Sequence, residues 1–376
     1  MFAPSHSPYA GRRPAPCRLF LLRVSPHLRV SVLNVSVISA TLRVLKEAEH
    51  MRRILVMVAA AAVAVTAACS GGKEEAPAST GTGTTAKTLR FAVMPKALDI
   101  PVFNYAKIGA ERAAKELGNV QIEWRAPETA DQLRQKEILE SFITQRVDGI
   151  AISTLNGDFL TETINRAVEA GIPVVTWDSD APKSRRAAFY GVDDFASGRI
   201  MGEQAIKLLN GKGKVALITS MGATNLQRRL EGVRDALKAA PGIEIVEAYD
   251  IKEDAVRCAE IIATGSRRYP DLGAWLSVGG WPVFTRNALA GVDSSKTKVI
   301  SFDTVESAIE LLRSGKVQVL LGQKYFGWGS EPVKILHGIK NGKPPATPII
   351  DSGVDIVTLE NVDAYVAEFK RLQSGS

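Results

Sequence analysis

QRVDGIAISTLNGDFLTETINRAVEAGIPVVTWDSDAP, residues 145–182, holds one full cycle of the pattern that repeats along the chain. GIAIS (149–153) is a short apolar run, residues 158–170 carry apolar side chains at helical spacing, and PVVTW (173–177) is a second apolar run. Neither run alternates with polar residues, as expected of strands covered on both faces, and the helix between them is the crossover that a parallel pair requires. Upstream the cycle reads LRFAVM, a helix over 103–117, VQIEW and a helix over 129–145. Downstream come KVALIT, a helix over 225–239, IEIVEAY, a helix over 253–263, AWLSV and a helix after Pro282. KVISF, a helix over 305–314, VQVLL and a helix over 329–339 complete the series. The fold class expected is α/β, with parallel sheets flanked by helices. One sheet of about ten strands is conceivable, but a division into two similar lobes suits this length better. Both halves open with a strand, a polar loop and a long helix.

The 376 residues include 47 Lys+Arg and 40 Asp+Glu, but nine of the basic and two of the acidic residues lie in positions 1–68. The remainder carries 38 of each sign. A balanced body argues against nucleic acid as a partner, because phosphate binding needs a basic surplus on one face. Cys17, Cys69 and Cys258 are too far apart for a metal site or a disulfide framework. His6, His27 and His50 precede the body, leaving His337 as its single imidazole. With no GxSxG, HExxH or P-loop spacing and no cysteine–histidine pairing, the chain is not expected to be an enzyme, and neither cofactor nor metal is expected.

From Met51 the chain reads MRRILVMVAAAAVAVTAAC, with two arginines, an apolar run and small residues before Cys69. That is the layout of a secretory signal peptide over 51–69. Thr66-Ala67-Ala68-Cys69 resembles a bacterial lipoprotein cleavage site, with Cys69 as the lipidated residue. Residues 1–50 do not fit this layout and are read as a disordered upstream extension, with Met51 the true start. Residues 70–88, rich in Gly, Ser, Thr, Ala and Pro, read as a flexible tether. The chain is therefore expected to be exported and lipid-anchored at the cell envelope.

In open parallel sheets, ligands bind beyond the carboxyl ends of the strands. The polar residues that follow the apolar runs are Lys96 and Asp99, Ser153, Asp178 and Asp180, Asn225 and Arg229, Asp303, and Gln323. Each has a structural alternative. Asp178 and Asp303 suit turn or helix caps, Arg229 could pair on the surface with Asp235 or Glu231, and Lys96 could pair with Asp99. Phe103, Trp177 and Trp281 suit either core packing or a ligand platform. Cys258 reads as a small buried hydrophobe.

AVMPKALDIPVFNYAKIGAERAAKELG (92–118), residues 145–182, YGVDDFASGRIMGEQA (190–205), GATNLQRRLEGVRDAL (222–237), VISFDT (299–304) and LLGQKYFGWG (320–329) together carry a resemblance. In this order and spacing the chain resembles the periplasmic sugar-binding proteins of the ribose-binding type across residues 89–358. The resemblance implies a type I periplasmic binding protein fold, two Rossmann-like lobes joined by three crossings near Asp194, Gln323 and Gly353. Residues 89–194 with 324–352 would form the N-terminal lobe, and 195–323 with 353–376 the C-terminal lobe.

It also implies that Asp178 accepts from two sugar hydroxyls and that Asn225, Arg229, Asp303 and Gln323 complete the polar set. Ser179 replaces the usual arginine after the aspartate, and Gly279-Gly280-Trp281 replaces the usual asparagine after AWLSV. Planar Asp, Asn, Arg and Gln groups each engage two vicinal hydroxyls, so the set suits a sugar. The partners implied are a small sugar ligand and an ABC permease, the protein itself acting as a monomer. A sugar sensor working through a membrane receptor uses the same body. A sugar-responsive repressor core shares it too, but would need a helix-turn-helix where the tether stands.

Overall fold

The computed structural model describes residues 87–375; the upstream extension, the export signal, Cys69 and nearly all of the tether lie outside the described residues. The chain builds two six-stranded sheets. The first contains β1 (Leu89–Met94), β2 (Val120–Trp124), β3 (Gly149–Ile152), β4 (Val174–Trp177), β5 (Ala188–Gly191) and, much later, β11 (Ile349–Asp351). Its order is β11-β5-β4-β3-β1-β2, with every neighbouring pair parallel.

The second contains β6 (Lys212–Thr219), β7 (Gly242–Asp250), β8 (Leu272–Ser277), β9 (Lys298–Phe302), β10 (Val319–Gly322) and β12 (Asp355–Val357). Its order is β12-β10-β9-β8-β6-β7, parallel except for β12, which runs antiparallel to β10. The five leading strands of each sheet thus follow one winding, so the duplication expected from the sequence is present in the topology. The chain passes between the sheets after β5, after β10, and between β11 and β12.

The helices are α1 (Phe103–Leu117), α2 (Gln132–Thr144), α3 (Gly157–Glu169), α4 (Asp194–Leu208), α5 (Thr224–Leu237), α6 (Ala255–Arg268), α7 (Trp281–Phe284), α8 (Glu306–Arg313), α9 (Tyr325–Lys340) and α10 (Val362–Ser374). The unbroken apolar runs have a direct cause. Ala92 and Met94 of β1, Ile150 and Ile152 of β3, and Val174 of β4 share one cluster with Ile138, Leu139 and Phe142 of α2 and Leu160 and Ile164 of α3. Their alternates Phe91, Val93, Ala151, Val175 and Trp177 join the other cluster, with Ala106 and Ala110 of α1 and Val333 and Leu336 of α9. Helices cover both faces, so no position on these strands needs to be polar.

The structure corrects the element reading in several places. The sequence reading omitted β5, β11 and β12, strands of only three or four residues, and with them the helices that follow β5 and β12, α4 and α10. The helix after Pro282 is a single turn, α7. The helix expected from Gly329 begins at Tyr325 and runs through Pro332. Its glycines are explained by packing: a Cβ on Gly329 would stand 1.8 Å from the Ala106 carbonyl oxygen of α1. The helix expected from Glu253 starts at Ala255, capped by Asp254. Cys258 is buried in α6, and burial pushes its thiol up to about 12, so it acts as a small apolar side chain.

The contact that positions the later site is the crossing of α4 and α5. Gly198 of α4 lies so close to α5 that a Cβ would sit 2.0 Å from the Arg229 carbonyl oxygen, and one on Gly232 would sit 2.1 Å from that of Phe195. Both obstacles are backbone, which cannot swing aside. Gly198→Ala should therefore destabilise the protein by about 1–3 kcal/mol in urea unfolding, despite alanine's better helix propensity. A stabilised Gly198→Ala variant would contradict this account of the crossing.

Candidate functional site

Asp178 and Asp303 directly follow β4 and β9, the equivalent strands of the two sheets. Both have left-handed backbones, with φ of 59° and 75°. For a residue with a Cβ this costs roughly 1–2 kcal/mol, and such strain concentrates at functional positions. Neither aspartate caps a helix. The Asp178 Oδ2 accepts from Ser153 Oγ at 2.6 Å and lies 3.4 Å from Lys96 Nζ. The Asp303 Oδ1 accepts from Gln323 Nε2 at 3.0 Å and from the Tyr325 hydroxyl at 3.2 Å.

Arg229, on α5, is only 2% exposed. Its Nε donates to Asp194 Oδ1 at 2.8 Å, Nη2 to Gln323 Oε1 at 3.0 Å and Nη1 to the Val278 carbonyl at 3.2 Å. The guanidinium lies over the Phe302 ring, 4.2 Å from its centroid. The surface pairs considered for it are made by its neighbours instead, Arg199 with Asp235 and Arg228 with Glu231. Burial pushes the Asp194 carboxyl up to about 7 against the pull of Arg229. Burial also lifts Asp303 to about 6, opposed by the Gln323 hydrogen bond and Arg229.

Contacts also span the two sheets. Lys96, beyond β1, donates to Asn225 Oδ1 of α5 at 3.0 Å rather than pairing with Asp99. The Asn156 side chain reaches the Gly222 carbonyl at 3.3 Å, and the Gly157 N–H reaches Thr224 Oγ1 at 3.4 Å. Between them lies a cavity of about 30 Å³ walled by Lys96, Asp178, Asn225, Arg229, Asp303 and Gln323, with Phe103, Trp281, Phe284 and Trp328 as its aromatic sides. Ligand pockets usually begin near 300 Å³, so the space as it stands is much smaller than an ordinary ligand pocket. Gly280 also lines the cavity, where a Cβ would lie 2.3 Å from the Phe284 ring and 2.5 Å from Asp303 Oδ2, so that any other residue would displace those side chains.

Eight of the residues singled out from sequence therefore meet: Lys96, Phe103, Asp178, Asn225, Arg229, Trp281, Asp303 and Gln323. Ser153 stands one step behind, as the donor to Asp178. Asp99 lies in an outer cleft of about 530 Å³ that shares Ile100, Glu253, Trp281 and Phe284 with the inner cavity. Asp180 is not brought to the cavity. Arg186 engages both its carboxylate oxygens, and Thr176 Oγ1 and the Ala181 N–H also donate to it, so its role is to fix the turn after β4. Trp177 is fully buried and packs edge-on against Phe103 at 5.5 Å, a core residue that backs the cavity wall.

Asp194, Glu253, Phe284 and Trp328 were not singled out in advance. Glu253 lies three residues beyond the end of β7, in the loop on the side of the sheet where the strand-end rule looks. A larger hollow of about 840 Å³ lies among the start of α9, β12 and α10; rings such as Tyr190, Phe326, Tyr365 and Phe369 form part of its lining, and its Lys324 is already paired with Asp355. Among the described residues, no group of three or more His, Cys, Asp or Glu is placed to hold a metal ion, and no helix is long and apolar enough to cross a membrane.

Comparison with known proteins places this geometry in context. The family described as periplasmic binding protein domain matches residues 91–344. The D-ribose/D-allose-binding protein of Pseudomonas aeruginosa is 26% identical, over 75% of this chain and 92% of its own. The ribose import binding protein of Escherichia coli is 22% identical, over 67% and 85%. An ABC transporter solute-binding protein from Burkholderia graminis, solved in complex with D-arabinose, is 32% identical, covers 74% of this chain and 98% of its own, and superposes with a TM-score of 0.71. A glucose–galactose-binding protein from Geobacillus stearothermophilus is 29% identical over 73% and 99%, with a TM-score of 0.69.

The raised carboxyl of Asp303 sets a pH dependence of stability. The folded state holds that proton more tightly than the unfolded state, so the contribution is full below the ordinary value of 3.8 and is lost as pH rises through about 6. Asp303→Asn should therefore gain on the parent by on the order of 2 kcal/mol between pH 4 and 7. Thermal unfolding of the two ligand-free proteins across that range checks it; parallel pH curves would contradict it.

Proposed function

Because the chain belongs to the periplasmic binding protein domain family, we propose that it captures a monosaccharide or similar polyhydroxylated molecule in this cavity for an ABC-type importer, with no catalytic step. One observation carries the reading: two strained aspartates at equivalent strand ends of separate sheets belong to one cavity, Asp178 held by Ser153 and Asp303 by Gln323 and Tyr325. A ring with several hydroxyls can satisfy both at once, and doing so links the two sheets. Binding energy then favours the closed arrangement over an open one. The cavity is too small to enclose a monosaccharide, so the sheets must part, or Lys96 must give way, before a ligand enters.

Lys96 is suited to that role, since its ammonium bridges Asp178 and Asn225 across the gap as a ligand hydroxyl would. We take residues 89–194 with 324–352, and 195–323 with 353–376, as the two bodies that move. Ser153 and Asp99 complete the proposed set, the first by orienting Asp178 and the second at the mouth. Export and anchoring through a lipid on Cys69 would hold the protein beside a permease. Ribose import, the role named for the Escherichia coli relative, supports transport rather than presentation to a sensor.

A thermal-shift titration against a broad panel of sugars and polyols is the test. A true ligand at a hundredfold excess over its dissociation constant should stabilise the protein by about 2.7 kcal/mol. Asp178→Asn should weaken that ligand by about tenfold to hundredfold. A panel with no shift, or undiminished affinity in the variant, would remove the assignment.

A further inference from the structure

The charges around the cavity do not balance. Its two cations are already committed: Arg229 Nε is 2.8 Å from Asp194 and Lys96 Nζ is 3.4 Å from Asp178. Asp303 accepts only from the neutral Gln323 and Tyr325. Glu253 has still less. It lines the cavity, and its Oε1 is buried without a hydrogen-bond partner. The backbone aims it there at a cost, because Lys252 and Glu253 both adopt left-handed conformations, with φ of 55° and 59°.

Burial raises the Glu253 carboxyl against the pull of Lys96 and Arg229, neither of which answers its buried oxygen Oε1 with a hydrogen bond. A sugar hydroxyl would give the Glu253 Oε1 a donor; an ammonium would give it a donor and the charge that favours the ionised carboxylate. The path inward has the same sign. The outer cleft is lined by Asp99, Glu253 and Asp254 against the single cation Lys252. Burial and the neighbouring carboxylates Glu128 and Asp254 raise the Asp99 carboxyl, as expected where negative charge is crowded. Such a mouth concentrates cations.

We propose that the ligand carries a cationic nitrogen on a polyhydroxylated ring, an amino sugar or aminocyclitol, and that Glu253 is the residue that recognises it. This rests on the reading of the cavity as a sugar site and narrows the class of compound. Asp178 and Asp303 hold the ring hydroxyls, and Glu253, between the inner cavity and the mouth, takes the ammonium.

The experiment is a calorimetric titration of the full chain at pH 7 with matched compounds: glucose, galactose and myo-inositol, their amino counterparts, and the N-acetylated amino sugars, which keep the nitrogen but lose its charge. The amine should bind about tenfold to hundredfold more tightly than its hydroxyl counterpart, and N-acetylation should abolish that gain. Glu253→Gln, which preserves shape, should erase the preference, bringing the amine down to the affinity of its hydroxyl counterpart in the same variant. Thermal unfolding of the ligand-free variant at or above the temperature of the parent would show that the fold is intact. Neutral sugars binding as tightly as amines would overturn the cation inference and leave the sugar site standing. An amine preference that survives Glu253→Gln would overturn the assignment to this residue. No binding by any compound would remove both readings together.

Discussion

The interaction on which the site depends is the enclosure of Arg229. A guanidinium taken out of water must have its donors answered, and here three separate parts of the chain do so: Asp194 at the start of α4, the Val278 carbonyl beyond β8, and Gln323 beyond β10. Gln323 passes the constraint on to Asp303, and Asp303 to Tyr325 at the start of α9. Two of these residues, Asp194 and Gln323, stand where the chain leaves one sheet for the other. The arginine thereby ties the connecting segments to the floor of the cavity, and the glycine-mediated approach of α4 and α5 exists to bring its backbone close enough.

Much of this was legible in the sequence. The apolar runs without alternation announced strands covered on both faces, and the polar residues after them announced a site, because a parallel sheet directs all its strand ends one way. Asp178, Arg229 and Asp303 were visible for that reason. What periodicity could not supply was anything carried by three or four residues, such as β5, β11 and β12, whose existence depends on the sheet they complete. Asp180 shows the limit of the strand-end rule. Position alone cannot distinguish a carboxylate that faces the gap from one that Arg186 has claimed.

Glu253 was obscured by a different effect. Its helix-favouring side chain precedes an amphipathic stretch, so the local pattern assigns it to the following helix. The true start is set two residues later by the cap at Asp254. The intervening left-handed turn has no signature in IKED, where no glycine marks it. Conformations imposed by tertiary contacts on ordinary residues are the least readable part of a chain, and here they fall at Asp178, Glu253 and Asp303.

The aromatic lining has an optical consequence. Trp328, on α9 against the first sheet, and Trp281, at the start of α7 in the second, contribute to opposite walls of the same small space. Trp328 is further coupled to Trp177, whose ring centre is 6.2 Å away. Indole emission responds to nearby water and to neighbouring rings, so parting the walls wets one fluorophore pair and joining them dries it. Under the movement proposed for ligand capture, these indoles would report closure in dilute solution without any attached dye.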